Sequence, residues 1–128
     1  MKPAAAPTSP EELKRKIAEA RELASRGQSR LATEKLEALG SEPSAVLALA
    51  DLLLDQGQYD RAASLASRAS KLGAGVEALY VRGSAELLAG NPSDAARDFR
   101  KVLDAKPDHA DAKQGLARAE KMLSTKTP

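Results

Sequence analysis

The chain has no cysteine and no tryptophan, and only 2% of its 128 residues are aromatic. The absence of cysteine excludes disulfide bonds, thiol catalysis and cysteine-bound zinc. The single histidine, His109, has no metal-ligand spacing around it, so we expect neither a metal nor another cofactor. Because β-sandwiches and barrels are rich in aromatic and β-branched residues, the scarcity of aromatics also argues against an all-β fold.

The sequence also lacks a long apolar run and a strong net charge. No segment approaches the about 18 apolar residues of a membrane span, and residues 2–10 contain no apolar stretch of the signal-peptide type. The 20 basic and 18 acidic residues are interspersed, without the one-sided basic surface of a nucleic-acid-binding protein. We therefore expect a cytoplasmic protein that neither inserts into a membrane nor binds nucleic acid.

Alanine and leucine dominate the apolar residues, and they recur at spacings of three and four. This periodicity is typical of amphipathic helices, and proline and glycine mark where the helices begin and end. Ser9 with Glu12 is the predicted capping box of the first helix. Asn91 is expected to cap the sixth helix, and Asp108 with Asp111 the seventh. The sequence thus predicts an all-α fold of seven helices without a strand.

Three predicted helix pairs share a turn at a nearly fixed spacing. Gly27, Gly57 and Gly90 lie 30 and 33 residues apart, and an alanine follows five residues after each glycine. A helix hairpin repeated at this period indicates a helical solenoid, in which each unit buries its faces against its neighbours. The best-preserved unit runs from Val76 to His109.

That unit resembles a tetratricopeptide repeat (TPR). The family repeat of about 34 residues has a small residue at the helix crossing, an Ala-x₃-Phe pair and a terminal proline. The corresponding residues here are Gly83, Ala95 with Phe99, and Pro107. The resemblance implies a right-handed solenoid of antiparallel hairpins. The implied organisation is one domain at 9–123, with a flexible lead at 1–8 and a flexible tail at 124–128. Within the domain, the repeats are expected at about 13–42, 43–75 and 76–109, and a capping helix at 108–123.

Two charged residues of the third unit stand where the family pattern has apolar or aromatic groups. These are Arg82 and Glu86. Similar repeats with Arg before the glycine often carry an Asp just before the inward aromatic residue, as Asp98 does here. The resemblance therefore predicts an Arg82–Asp98 salt bridge across the third hairpin.

In TPR proteins the first helix of each pair lines a concave surface that binds peptides, so the resemblance also implies a groove. The expected groove residues lie on the first helices and the closing helix: Ile17, Arg21, Leu47, Asp51, Leu54, Asp55, Tyr80, Ser84, Leu87, Leu88, Gln114 and Arg118. The set is partly apolar, and Asp51 and Asp55 favour a basic neighbour. Apart from Arg21, the cations and asparagines with which co-chaperone TPR domains clamp a carboxylate are missing. The sequence does not decide whether the closing helix leaves the groove open or covers it.

The sequence contains no catalytic triad, phosphate-binding loop or metalloprotease motif, and its histidine is expected at the surface in a helix cap. We therefore do not expect an enzyme. The leading hypothesis is a protein–protein interaction module that binds a peptide or helix of a partner protein. The alternatives are a self-associating scaffold segment of a longer repeat protein, and a secretion-type TPR chaperone.

Overall fold

The computed structural model describes residues 9–126, which form helices joined by short turns, without a strand. The helices of this part of the chain are α1 (Pro10–Ser25), α2 (Ser29–Glu37), α3 (Pro43–Asp55), α4 (Tyr59–Lys71), α5 (Val76–Leu88), α6 (Pro92–Ala105) and α7 (Ala110–Lys126). The prediction of an all-α fold with seven helices is confirmed. None of these helices is both long and apolar enough to cross a membrane.

The last helix differs most from its predicted bounds. The sequence predicts its end at residue 123 and a flexible tail from 124, but α7 continues to Lys126. No glycine or proline interrupts the chain between Gly115 and Pro128, so nothing in the sequence stops the helix earlier. The predicted lead at 1–8 and the last two residues of the tail lie outside the described residues.

The same backbone closure joins the two helices of every hairpin. Gly27, Gly57 and Gly90 adopt φ values of 83°, 79° and 90°. The residue after each glycine donates its N–H to the carbonyl oxygen five residues earlier, at N···O distances of 2.8, 2.9 and 2.8 Å. This is the Schellman motif, in which a positive φ reverses the chain and pairs a carbonyl at the helix end. The glycine recurs because other residues adopt this φ only at a steric cost.

The two predicted N-caps at Ser9 and Asn91 have different outcomes. The N–H of Glu12 donates to the hydroxyl of Ser9 at 3.2 Å, so the cap of α1 is confirmed. Asn91 stands at the N-cap of α6 as predicted, but its side chain forms no capping hydrogen bond. Its backbone N–H completes the Schellman closure, and its amide donates to the carboxylate of Glu86 on α5 at 3.2 Å.

Replacing Gly90 by alanine is expected to lower the free energy of unfolding by about 1–2 kcal/mol, the cost of a left-handed backbone for a residue with a Cβ. A Cβ there would meet no heavy atom within 4 Å, so the cost is conformational. Urea unfolding followed by circular dichroism measures it. Gly90→Asn should recover part of the loss, because asparagine tolerates positive φ better than alanine. Equal stability of the wild type and Gly90→Ala would contradict the turn assignment.

Most of the buried interior is alanine. Ala20, Ala32, Ala62 and Ala95, together with further alanines, have no exposed surface. They belong to separate apolar clusters along the solenoid rather than to one central core. Small side chains let neighbouring helices approach closely, so the fold depends on contacts between successive helices.

Phe99 of α6 is the largest of the fully buried side chains. A Cβ built on Gly83 of α5 would lie 2.9 Å from its ring, and a Cβ built on Gly115 of α7 would lie 2.5 Å from it. Both distances are too short for carbon atoms, so each glycine leaves room for the aromatic ring. The small residue predicted at the crossing, Gly83, thus has a specific partner, and Gly115 has the same role on α7.

The predicted Arg82–Asp98 salt bridge is confirmed. Nε and Nη2 of Arg82 donate to the two carboxylate oxygens of Asp98 at 2.8 and 2.7 Å. Nη1 donates to the hydroxyl of Ser67 at 3.0 Å. The hydrogen bond to Asp98 raises the pKa of Arg82 above its ordinary value. One guanidinium therefore connects α4, α5 and α6.

Candidate functional site

The odd-numbered helices form the inner layer of the solenoid. α1 packs against α3, α3 against α5, and α5 against α7, whereas within the described residues the backbones of α2, α4 and α6 do not come close to one another. Because the inner helices stand closer together than the outer helices, the surface that they share is concave. This surface, formed by the exposed faces of α1, α3, α5 and α7, is the groove.

Two clefts lie along the groove. The first cleft, of about 370 Å³, lies between α1, α2 and α3. The second cleft, of about 290 Å³, lies between the end of α3, α5 and α7. The predicted groove residues in the first cleft are Arg21, Asp51 and Asp55. Those in the second cleft are Leu54, Asp55, Tyr80, Ser84, Leu87, Leu88, Gln114 and Arg118. Asp55 lines both clefts.

Two of the predicted groove residues, Ile17 and Leu47, line neither cleft. Ile17 is half-buried against the apolar cluster of α1, α2 and α3. Leu47 packs between α3 and the neighbouring helices α4 and α5. Each residue lies one turn before a cleft residue of its own helix, Arg21 or Asp51. The open part of the groove therefore begins nearer the C-terminal ends of α1 and α3 than the sequence predicts.

The closing helix forms a wall of the groove and does not fold over it. α7 packs against α6 and α5. Its residues Gln114, Gly115 and Arg118 line the second cleft, while Leu88 of α5 keeps 54% of its surface exposed. The groove is therefore open at the second cleft.

An ion pair lies at the first cleft. Nη1 of Arg21 on α1 lies 3.2 Å from Oδ2 of Asp51 on α3. Both side chains are more than one-third exposed, so the pair adds at most about 1 kcal/mol to stability. Asp55 stands one helical turn further along α3. Partial burial and the charge of Asp51 raise the pKa of Asp55 above its ordinary value, and Arg21 offsets part of this effect.

Asp55→Asn is expected to raise the melting temperature at pH 7. Folding raises the pKa of this carboxyl group, so its ionised form lowers the stability of the folded protein at pH values above that pKa. Like charges one turn apart cost a few tenths of a kcal/mol, which corresponds to about 1–2 °C. The gain should disappear as the pH falls through the raised pKa of Asp55 towards 3.8, because the wild-type carboxyl is then neutral too.

Thermal unfolding of Asp55→Asn at several pH values tests this expectation. Asp60→Asn is the matched control, because Asp60 lies in the first turn of α4, where a negative charge is favourable. No gain is expected from the control. A loss of stability in Asp55→Asn at pH 7 would show that Asp55 has a structural role.

The second cleft combines an aromatic and aliphatic floor with polar groups at its edges. The ring of Tyr80 packs against Phe99, with ring centroids 5.9 Å apart. The hydroxyl of Ser84 donates to the carbonyl oxygen of Tyr80 at 3.0 Å. The phenol oxygen of Tyr80 forms no hydrogen bond with any residue between 9 and 126. Leu87 is half-buried and Leu88 is exposed. The cleft therefore offers apolar area and an unused hydrogen-bonding group.

His109 lies beside the second cleft and is not the surface residue that the sequence predicts. Its Nδ1 accepts the N–H of Ala112 at 3.1 Å, so His109 itself caps α7 in place of the predicted Asp108 and Asp111. Its Nε2 lies 3.1 Å from the carboxylate of Glu77. Its side chain is only 13% exposed, since the ring packs against Tyr80 at a centroid distance of 5.0 Å.

Three residues of the second cleft are missing from the predicted set: Phe99 of α6, and Asp111 and Gly115 of α7. Asp111 could have been found from its spacing. It precedes the predicted residues Gln114 and Arg118 by three and seven positions, so it lies on the same face of the helix. The signal for Gly115 is its position inside a predicted helix, where a glycine is unfavourable and usually has a packing reason.

The chain matches a tetratricopeptide repeat family model over residues 47–110 and again over residues 80–120. Together these matches cover more than half of the chain. No curated protein sequence matches it significantly.

Solved structures share the fold at low sequence identity. The second TPR domain of human RPAP3, in complex with the HSP70 peptide SGPTIEEVD, is 21% identical with a TM-score of 0.75, over 82% of this chain and 92% of that chain. The first TPR domain of human RPAP3 is 18% identical with a TM-score of 0.81, over 87% and 91%. PcrH, in complex with the chaperone-binding region of PopD, is 20% identical with a TM-score of 0.75, over 96% and 99%. At these identities the similarity shows the fold alone.

Proposed function

Because the chain belongs to the tetratricopeptide repeat family, we propose that it is a non-catalytic interaction module that binds a peptide or helix of a partner protein in its groove. The second cleft is the observation that carries this proposal. Its apolar residues Tyr80, Leu87 and Leu88 face an open surface, and polar groups of α5 and α7 surround them. An apolar surface with a polar rim is typical of a site that binds another protein.

The shape of the cleft favours a peptide over a small molecule. Its volume of about 290 Å³ lies just below the range of roughly 300–1,000 Å³ found for small-molecule pockets. Such an open cleft holds one or two side chains of a longer segment, and the groove continues past it to the first cleft. Two structural neighbours, RPAP3 and PcrH, are described with a bound peptide and a bound chaperone-binding region, respectively. They support a segment of another protein as the class of ligand.

Leu88→Glu is expected to weaken peptide binding by at least about tenfold, which corresponds to about 1.4 kcal/mol. The substitution places a charge in the apolar part of the cleft, and a bound apolar side chain would have to desolvate that charge. Peptides are first selected from a random-peptide library displayed on phage with the wild-type protein as the target. Fluorescence anisotropy with the enriched peptides then measures the affinity of each variant.

Leu31→Glu is the matched control, because Leu31 is an exposed leucine of similar accessibility on α2, outside both clefts. We expect its affinity to stay within about twofold of wild type, since it removes no contact with the ligand. Equal losses in the two variants would contradict the groove as the binding site.

Light scattering over a dilution series tests the alternative of self-association. That alternative predicts a dimer in the wild type and a monomer in Leu88→Glu. The scaffold and chaperone alternatives stay predictions.

A further inference from the structure

We infer that the partner segment carries an apolar side chain between a basic residue, which faces Asp55, and an acidic residue, which faces Arg118. This inference rests on the proposed function and specifies the chemistry of its ligand. It depends on two opposite charges that line the same cleft without pairing. Asp55 lies on the α3 wall and Arg118 on the α7 wall, with α5 between them.

Asp55 is an unpaired carboxylate at the point where the two clefts meet. Its neighbour Asp51 is engaged with Arg21, whereas Asp55 forms no salt bridge or hydrogen bond with any described residue. It lines both clefts and therefore stands where a segment lying along the groove passes from one to the other. A basic side chain at this point gains an ion pair without breaking one that already exists.

Arg118 is the corresponding cation on the opposite wall. It forms no salt bridge or hydrogen bond within residues 9–126. It lines the second cleft and also an adjoining apolar patch, to which Leu87, Leu88 and Met122 contribute. Lys121 borders the same patch, so the C-terminal part of α7 offers positive charge next to apolar area. An acidic residue placed beside an apolar residue fits this surface.

The other charged residue of the second cleft, Asp111, lies two turns before Arg118 on α7. The α7 wall is thus negative at its N-terminal end and positive near the patch. A segment with acidic residues alone would be repelled by Asp55 and Asp111, and one with basic residues alone would be repelled by Arg118 and Lys121. Charges arranged in this way select the order of charges in a ligand more than they increase its affinity.

The apolar side chain lies between the two charged contacts. Leu87, Leu88 and Tyr80 supply the surface for it, and they lie on α5, the helix between those of Asp55 and Arg118. Exposed ion pairs are weak, so we expect each correctly placed charge to change affinity by up to about fivefold. The apolar contact supplies the larger part of the binding free energy.

Charge reversal in the groove tests this inference. The probes are the peptide most enriched from the phage library on the wild-type protein, and a second synthetic peptide in which its basic and acidic residues are exchanged. Anisotropy measures both peptides against the wild type and against the double variant Asp55→Arg with Arg118→Glu. The matched control is Arg100→Glu with Glu120→Arg, which exchanges a 3.3 Å ion pair outside both clefts at the same net charge.

The wild type and the control are expected to prefer the first peptide by at least about tenfold, and the groove variant to prefer the exchanged peptide by a similar factor. The same preference in all three proteins would overturn the inference. If the preference is unchanged but binding still depends on Leu88, only the inferred order of charges is contradicted, and the proposed function stands. A library from which no Leu88-dependent peptide is recovered contradicts both the proposed function and this inference.

Discussion

Phe99→Ala is expected to lower the free energy of unfolding by about 3–5 kcal/mol, the range for large-to-small changes at fully buried aromatic residues. For a chain of 128 residues this corresponds to a fall of about 10–20 °C in melting temperature. The loss should be large because the ring fills the space that Gly83 and Gly115 leave on both neighbouring helices. Alanine would leave a cavity that neither glycine can fill. Urea unfolding followed by circular dichroism measures the change.

A thermodynamic cycle between Phe99 and Gly115 separates this specific contact from a general loss of apolar area. In the wild type, Gly115→Ala is expected to be destabilising, because overpacking costs about 1–3 kcal/mol while the better helix propensity of alanine returns about 1 kcal/mol. In the Phe99→Leu background the ring is absent, so the same substitution should be neutral or stabilising. Equal effects of Gly115→Ala in both backgrounds would show that the ring and the glycine do not interact.

Arg82→Ala is the second substitution with a large expected effect, a loss of about 2–4 kcal/mol. The carboxylate of Asp98 is only 4% exposed, and removing its partner leaves a buried charge unpaired. The loss is expected below the top of the range for buried pairs because water reaches Arg82, whose side chain is 29% exposed. The substitution also removes the hydrogen bond to Ser67 on α4. Denaturant unfolding is again the measurement.

Two comparisons make this expectation specific to the buried pair. Arg82→Ala combined with Asp98→Ala should be more stable than Arg82→Ala alone, because no unpaired carboxylate then remains in the interior. Arg100→Ala, which breaks the exposed pair with Glu120, should cost no more than about 1 kcal/mol. If the double variant shows the sum of the two single losses, the buried charge is not the cause.

Both features fix the position of α5, which forms the floor of the second cleft. Arg82 and Gly83 anchor this helix to α4 and α6, while Tyr80, Ser84 and Leu87 of the same helix line the cleft. A binding surface needs side chains that are held in place before the ligand arrives. A buried salt bridge to α4 and α6, and the close-packed ring of Phe99, which also lines the cleft, provide that support.

Much of the fold could be predicted from local sequence signals. Glycine and proline mark the hairpin turns, and the spacing of Gly27, Gly57 and Gly90 reveals the repeat. The missing side-chain cap of α6 could not be predicted in the same way, because the amide of Asn91 donates instead to the carboxylate of Glu86 on the preceding helix. The burial of His109 could not be predicted either, since its ring is covered by Tyr80 and Glu77 from another helix.

The groove could be predicted only in part. A helical face follows from spacing along one helix, which is why the second cleft collects eight of the predicted residues. Whether a side chain on that face meets solvent or a neighbouring helix depends on how the helices cross, and the sequence does not state this. Leu47 illustrates the difference, because it lies on the predicted face and packs against α4 and α5.

We propose that the groove, and not the outer layer of helices, is the binding surface. Chemical-shift mapping tests it most directly, with ¹⁵N-labelled protein titrated with a peptide enriched by the wild-type protein. We expect the largest shift changes at Asp55, at Ser84, Leu87 and Leu88 of α5, and at Gln114 and Arg118 of α7. Amides of α2, α4 and α6 should change little. Largest changes on those outer helices, with the groove amides unmoved, would contradict the account.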